Sequence, residues 1–216
     1  KKQGWTVPKT WEGLLALFEK IKADGYAPFT YQGMYPYYLE AITTPLIYKV
    51  AGEQAWKDIN NLVPGAWKNP DVMRALKLLQ DLVTGPGNVL KGTEGLNHTA
   101  SQMEWLNHKA VFIPCGTWLP DEMKDVTPPG FQMRVMMIPA PAKSKGDANA
   151  IETYVWGGYC IPKDAKNVAW AKEFLRIMYS RKMAQKFAEI TGMFLSIKGG
   201  TDGVELPPSV RDAYDL

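Results

Sequence analysis

Only two cysteines, Cys115 and Cys160, and two histidines, His98 and His108, occur among the 216 residues. A single pair of thiols is too few for a disulfide framework, and the expectation is two separate buried cysteines. A His-based catalytic triad has few candidates in such a chain. The Gly-x-Ser-x-Gly elbow, the Gly-x-x-x-x-Gly-Lys-Ser/Thr phosphate loop, the His-Glu-x-x-His pair and any Cys-x-x-Cys are also missing, so the common enzyme signatures are absent. Apolar runs are short: Val111 to Cys115 and Val135 to Ile138 fall far below the ~20 residues of a membrane-spanning helix, so no membrane insertion is expected. Lys1-Lys2-Gln3-Gly4-Trp5 is basic but has no 7–15-residue apolar stretch behind it, and it reads as no signal peptide. Charge is nearly balanced, 25 Lys plus Arg against 22 Asp plus Glu for a net +3. With no dense basic run, the chain offers no footprint for a nucleic acid or an anionic membrane.

What is present is a globular composition, 46% hydrophobic and 22% charged. At ~150 residues per domain the length corresponds to about 1.4 domains, long for one and short for two. The aromatic content is rich, with 8 Trp, 10 Tyr and 7 Phe, and many of the rings lie beside Gly and Pro.

Thr10 caps a helix with Leu14, Leu15, Phe18 and Ile21 at helical spacing, stopped at Gly25. Pro28 to Tyr31 has β character. A helix from about Tyr37 towards Lys49 should break or kink at Pro45. Asn69-Pro70-Asp71 opens another, with Val72, Leu76, Leu79 and Val83 as its stripe. Thr99 starts a shorter helix, Ala110 to Ile113 reads as a strand, and Gln132 to Ile138 as a further strand. Ile151 to Ile161 looks extended around Gly157-Gly158. An amphipathic helix follows Asp164, with Ala171, Phe174, Leu175 and Met178 on one face, and a second begins near Arg181. This order of helices and short strands is α/β.

Three aromatic turns stand out: Tyr35-Pro36-Tyr37-Tyr38, Gly116-Thr117-Trp118 and Tyr154-Val155-Trp156-Gly157-Gly158-Tyr159. The apolar face of a Trp or Tyr ring matches the C–H face of a pyranose, while its O–H or N–H stays free for hydrogen bonding. Carbohydrate is therefore a natural ligand; the plainer alternative is that the rings fill gaps. Trp56, Trp67 and Trp170, on or beside amphipathic helices, read as packing or surface anchors.

At these residues a resemblance emerges. Val7-Pro8-Lys9-Thr10-Trp11-Glu12 before a Leu-rich helix resembles the entry into the second lobe of bacterial extracellular solute-binding proteins of the maltose-binding type, which serve ABC sugar importers. Trp105 to Trp118 and Trp156 to Asn167 with Ala171 to Leu175 are similar to two further segments of that family, in the same order. The resemblance implies a periplasmic-binding-protein-like type II lobe, a mixed sheet flanked by helices, with the N-terminal lobe lacking. It implies residues 1–152 as the second lobe, 153–198 as a crossover strand and helices that pack on the first, and 199–216 as an irregular tail. It further implies that Trp118 stacks on sugar, that Tyr35, Tyr37 and Tyr38 form a ligand-contacting turn, and that Trp156, Gly157 and Gly158 run along the cleft. An oligosaccharide or other small solute and an ABC permease would be the partners, no cofactor would be needed, and the location would be periplasmic or extracellular.

Two expectations depart from that frame. The Ala171/Phe174/Leu175/Met178 face, deprived of a first lobe, should either refold onto the remaining lobe or pair in a homodimer, because burying each Phe or Leu is worth roughly 1.5–3 kcal/mol. Glu104 and His108, i and i+4, could share a divalent metal, with Asp121, Glu122 or Asp125 as a third ligand. A straight helix puts His98 about 15 Å from His108, too far to join it. A zinc-activated water attacking a phosphate or carboxylic ester would be the accompanying chemistry; the alternative is a surface ion pair or hydrogen bond between Glu104 and His108.

Overall fold

A computed structural model describes residues 4–151 and 159–216. They form two compact units: the first from residues 4–115 and 136–151, the second from 116–135 and 159–215.

In the first unit the chain opens on α1 (Trp11–Ala23), where the Thr10 hydroxyl accepts from the Gly13 N–H at 3.0 Å. Trp11, Leu14, Leu17, Phe18 and Ile21 recur every three or four residues, and that stripe is the buried face. Strand β1 (Ala27–Phe29) pairs in parallel with β2 (Ala110–Phe112), Ala27 opposite Ala110 and Phe29 opposite Phe112. Phe29 also bridges Val89 in parallel, so every pairing among the described residues is parallel.

A 3-10 turn (Pro36–Leu39) leads into α2 (Glu40–Ala51), followed by α3 (Glu53–Asn60), α4 (Pro70–Thr84) and α5 (His98–Leu106). As expected, Asn69 caps α4, its side chain accepting from the Asp71 N–H at 2.9 Å. Of the two outcomes expected at Pro45, a break or a kink, the break does not occur, and α2 continues through it. Pro45 is buried on the face that carries Leu46, Ile47 and Val50, and packing of that face against α4 outweighs the lost hydrogen bond. The core assembles from Phe18, Phe29, Leu46, Ile47, Val50, Val72 and Leu82.

The stretch 132–138, read as a strand, makes no ladder. Its end is held instead by Lys49, fully buried on α2, which donates from Nζ to the Ile138 carbonyl at 2.6 Å. Met136 and Ile138 pack on the core beside it. Burial pushes the Lys49 ammonium below its ordinary range, and attraction to Asp147 partly offsets this.

Helix α3, which no sequence signal announced, ends in a Schellman geometry. The Leu62 N–H reaches the Ile59 carbonyl at 3.1 Å and the Val63 N–H the Asp58 carbonyl at 2.9 Å. Leucine occupies the left-handed position, φ 55°, where glycine is the usual residue, and its side chain is 84% exposed. A β-carbon there is strained by about 1–2 kcal/mol, with little burial in return. Leu62→Gly is expected to raise the unfolding free energy by about 0.5–1 kcal/mol after the greater chain entropy of glycine is counted. Urea melts of both proteins measure it.

The second unit contains α6 (Leu119–Glu122), α7 (Val168–Met178), α8 (Arg181–Thr191) and α9 (Pro208–Asp215). Helix α8 begins at Arg181, where the sequence suggested a helix start, and Ser180 caps it by accepting from the Met183 N–H. The tail read as irregular carries α9, and Ala188, Val204, Leu206 and Val210 close a small core with Phe194. No residue of α7 is buried; Phe174 is 62% and Trp170 76% exposed. Of the face Ala171, Phe174, Leu175 and Met178, Phe174 is exposed and the other three are half-buried. The two cysteines form no disulfide with each other, and neither is fully buried as expected: Cys115 is half-buried and Cys160 exposed.

One ion pair fixes α9. Arg134 holds Asp212 through two hydrogen bonds of 2.5 and 2.6 Å, and the Asp212 carboxylate accepts from the Val135 N–H at 3.1 Å. These bonds hold the Asp212 carboxyl below the usual carboxylate range. A lowered folded-state value means that its stabilisation is complete above the unfolded value, ~3.9, and is lost as pH falls through the folded one. Wild type is therefore expected to melt above Asp212→Asn at neutral pH, the gap closing in acid. Thermal melts of both proteins from pH 7 to 2 measure it.

Candidate functional site

The tyrosine turn is built on a close contact between two loops of the first unit. A β-carbon on Gly33 would overlap the Thr93 carbonyl oxygen and the Glu94 backbone, so only glycine lets these segments touch. The Met34 N–H donates to the Leu96 carbonyl at 3.1 Å, and the Thr30 and Thr93 hydroxyls meet, buried, at 2.9 Å. Gln32 is fully buried and donates from Nε2 to the Pro114 carbonyl at 3.3 Å.

From this base the chain lifts Tyr35, Tyr37 and Tyr38 together. Tyr37 and Tyr38 stack at 5.0 Å between ring centroids, and Tyr35 meets Tyr37 edge-on at 6.2 Å. Tyr35 and Tyr37 keep 36% and 43% of their surface exposed, so part of the cluster is open to a ligand. All three predicted tyrosines are thus brought into one group.

Sequence reading missed the fourth ring. His98, treated as a residue before the helix, is its first residue, with the Asn97 side chain capping α5 by accepting from the Ala100 N–H at 2.9 Å. Its imidazole lies flat on Tyr35, centroids 4.1 Å apart and planes 7° apart, and 5.1 Å from Tyr38. The sequence reading placed the helix start at Thr99, within one residue, but nothing local could show the pairing with Tyr35, 63 positions earlier.

In the second unit Trp118 stands just before α6 and is half-buried. A β-carbon on Gly116 would run into the six-membered ring of Trp118, so the indole rests on the bare backbone of Gly116. Trp156, Gly157 and Gly158 lie outside the described residues. Of the packing tryptophans, Trp56 is part-buried against the core, whereas Trp67 and Trp170 are 51% and 76% exposed.

Glu104 and His108 do not share one helical face. Helix α5 ends at Leu106, and His108 sits past its end in a left-handed conformation, φ 60°. Its N–H donates to the Trp105 carbonyl, and that of Lys109 to the Glu104 carbonyl, closing a Schellman motif. The i, i+4 geometry that the metal required is therefore absent, and so is the straight helix assumed between the two histidines. Glu104 is instead paired with Lys109 at 2.7 Å, and Asp121 with Lys124 at 3.0 Å. Among the described residues no three His, Cys, Asp or Glu side chains gather in a metal-holding group.

Residues 1–210 match a family model described as bacterial extracellular solute-binding protein. The chain is 30% identical over 191 residues to the diacetylchitobiose binding protein NgcE of Streptomyces coelicolor, covering 88% of this chain and 40% of that one. It is 24% identical over 204 residues to the multiple sugar-binding protein of Streptococcus mutans, covering 92% and 47%. The chain therefore spans less than half the length of these relatives. Among solved structures it is similar to a chitin oligosaccharide binding protein, at TM-score 0.71 and 19% identity over 99% of this chain and 53% of that one. It is likewise similar to SBP RafE in complex with raffinose, at 0.69 and 19% over 99% and 56%. These likenesses give the fold: periplasmic-binding-protein-like, helix-rich α/β with a small sheet.

Proposed function

Because the chain belongs to the bacterial extracellular solute-binding proteins, we propose that it is the sugar-binding lobe of an ABC-importer receptor. The observation that carries this reading is the partly exposed cluster of Tyr35, Tyr37 and Tyr38. Its rings offer flat apolar faces with hydroxyls at their edges, the chemistry a pyranose needs. Trp118, in the second unit, and Trp156, Gly157 and Gly158 are assigned to sugar binding by the family resemblance alone. The named relatives bind diacetylchitobiose and multiple sugars, which supports an oligosaccharide as the solute. An ABC permease is the receiving partner, and an extracellular or periplasmic location follows from the family. No described helix is long and apolar enough to cross a membrane.

The exposed apolar side chains of α7, Trp170, Phe174 and Ile177, fit a second role. We read residues 153–198 as the crossover that packs on the other lobe of a two-lobed receptor, with a homodimer contact as the alternative for the same face. Binding by one lobe is weaker than by two, since fewer contacts form and water is less excluded.

Titration with chitooligosaccharides and with raffinose, followed by tryptophan fluorescence and calorimetry, tests the reading. Trp118→Ala is expected to lower affinity roughly tenfold to hundredfold, about 1.4–2.8 kcal/mol, and to remove the sugar-dependent quenching. Quenching that persists undiminished in Trp118→Ala would count against Trp118 as a stacking residue. Absence of any saturable heat at millimolar sugar would sink the sugar-binding reading.

A further inference from the structure

The four rings Tyr35, His98, Tyr38 and Tyr37 close into a cycle, with successive centroid distances of 4.1, 5.1, 5.0 and 6.2 Å. His98 is the only member that comes from a different part of the chain. The three tyrosines share one turn, whereas His98 arrives on α5, fixed by the Asn97 cap and by the contact of Gly33 with residues 93 and 94. A short turn rich in large rings has many rotamers of comparable energy when nothing holds them. A flat stack of 4.1 Å at 7° selects one of them for Tyr35, and Tyr35 and Tyr38 in turn confine Tyr37 between them.

The His98 imidazole is held by its face rather than by its edge. Its Nδ1 is enclosed and has no hydrogen-bond partner among the described residues, an arrangement that costs free energy. An imidazole kept for hydrogen bonding within the protein would not leave this nitrogen unused. The ring's contribution here is its planar surface.

We propose that His98 is a positioning residue of the sugar platform, a fourth ring whose stacking on Tyr35 presets the tyrosine turn for a pyranose. The proposal rests on the sugar-binding reading above and adds to it a residue outside the aromatic turns. Preset rings bind without losing rotamer freedom on contact, so the gain appears as affinity.

The test compares His98→Ala and His98→Phe with wild type in the full chain, using near-ultraviolet circular dichroism in the tyrosine band and calorimetric titration with chitooligosaccharides and raffinose. Loss of one aromatic pair predicts about a tenfold drop in affinity for His98→Ala, together with a diminished tyrosine signal. His98→Phe, which keeps a flat ring and removes both nitrogens, should restore the tyrosine signal and bring affinity to within about threefold of wild type. Far-ultraviolet spectra and melts identify a variant that has failed to fold, in which case His98→Phe alone decides. Wild-type affinity and signal in His98→Ala would overturn the proposal, as would a folded His98→Phe as weak as His98→Ala. If wild type binds no sugar, the reading of function fails, while the tyrosine signals still decide whether His98 sets the rings.

Discussion

Phe29→Ala is expected to lower the unfolding free energy by about 3–5 kcal/mol, the range for truncating a buried aromatic ring to a methyl. Phe29 is 2% exposed at the end of β1 and touches three neighbouring segments. Its ring lies 6.4 Å from that of Phe18 on α1 and 5.8 Å from that of Tyr31, and its backbone accepts from Leu90 at 2.9 Å and donates to Asn88 at 3.0 Å. A cavity here would sit between helix and sheet, where neither can collapse without giving up the parallel pairing with β2. Because Phe29 is followed directly by Thr30 and the tyrosine turn, partial collapse would also displace the platform. Denaturant melts monitored by circular dichroism give the size of the effect. A loss below about 1 kcal/mol would mean that the site repacks and that Phe29 is not the keystone described.

Gly116→Ala is expected to weaken sugar binding as much as removing the Trp118 side chain does, roughly tenfold to hundredfold. The added methyl would occupy the space of the Trp118 six-membered ring, and either the ring or the backbone must move. Overpacking of this kind costs about 1–3 kcal/mol when nothing yields. The indole stands half-buried at the start of α6, and rotating it away is the cheaper response, at the expense of its stacking position. The expected signature is a shifted tryptophan emission, a small change in melting temperature and a large change in affinity. Wild-type affinity with a shifted emission would show that the ring does not need this position to bind.

Much of the architecture was readable from local chemistry. Thr10 and Asn69 marked two helix starts because a side-chain oxygen that can satisfy a free N–H is a property of one residue and its nearest neighbours. The parallel strands were recognisable as short apolar runs. Three readings fell short for a common reason. Pro45 was judged by its missing N–H, yet the buried face of α2 decided its fate. The stretch 132–138 had strand composition, but Lys49 rather than a neighbouring strand supplied the partner at Ile138. Glu104 and His108 had helical spacing, but the helix ended between them.

The sequence by itself determined the family and the tyrosines, because motif order and residue type are carried along the chain. Only the tertiary structure decided which rings meet. Tyr35 and His98 are brought face to face by the close approach of two loops that Gly33 permits, and the indole of Trp118 takes its place because Gly116 has no side chain. Contacts of that kind depend on distances between segments far apart in the chain, which no local pattern encodes.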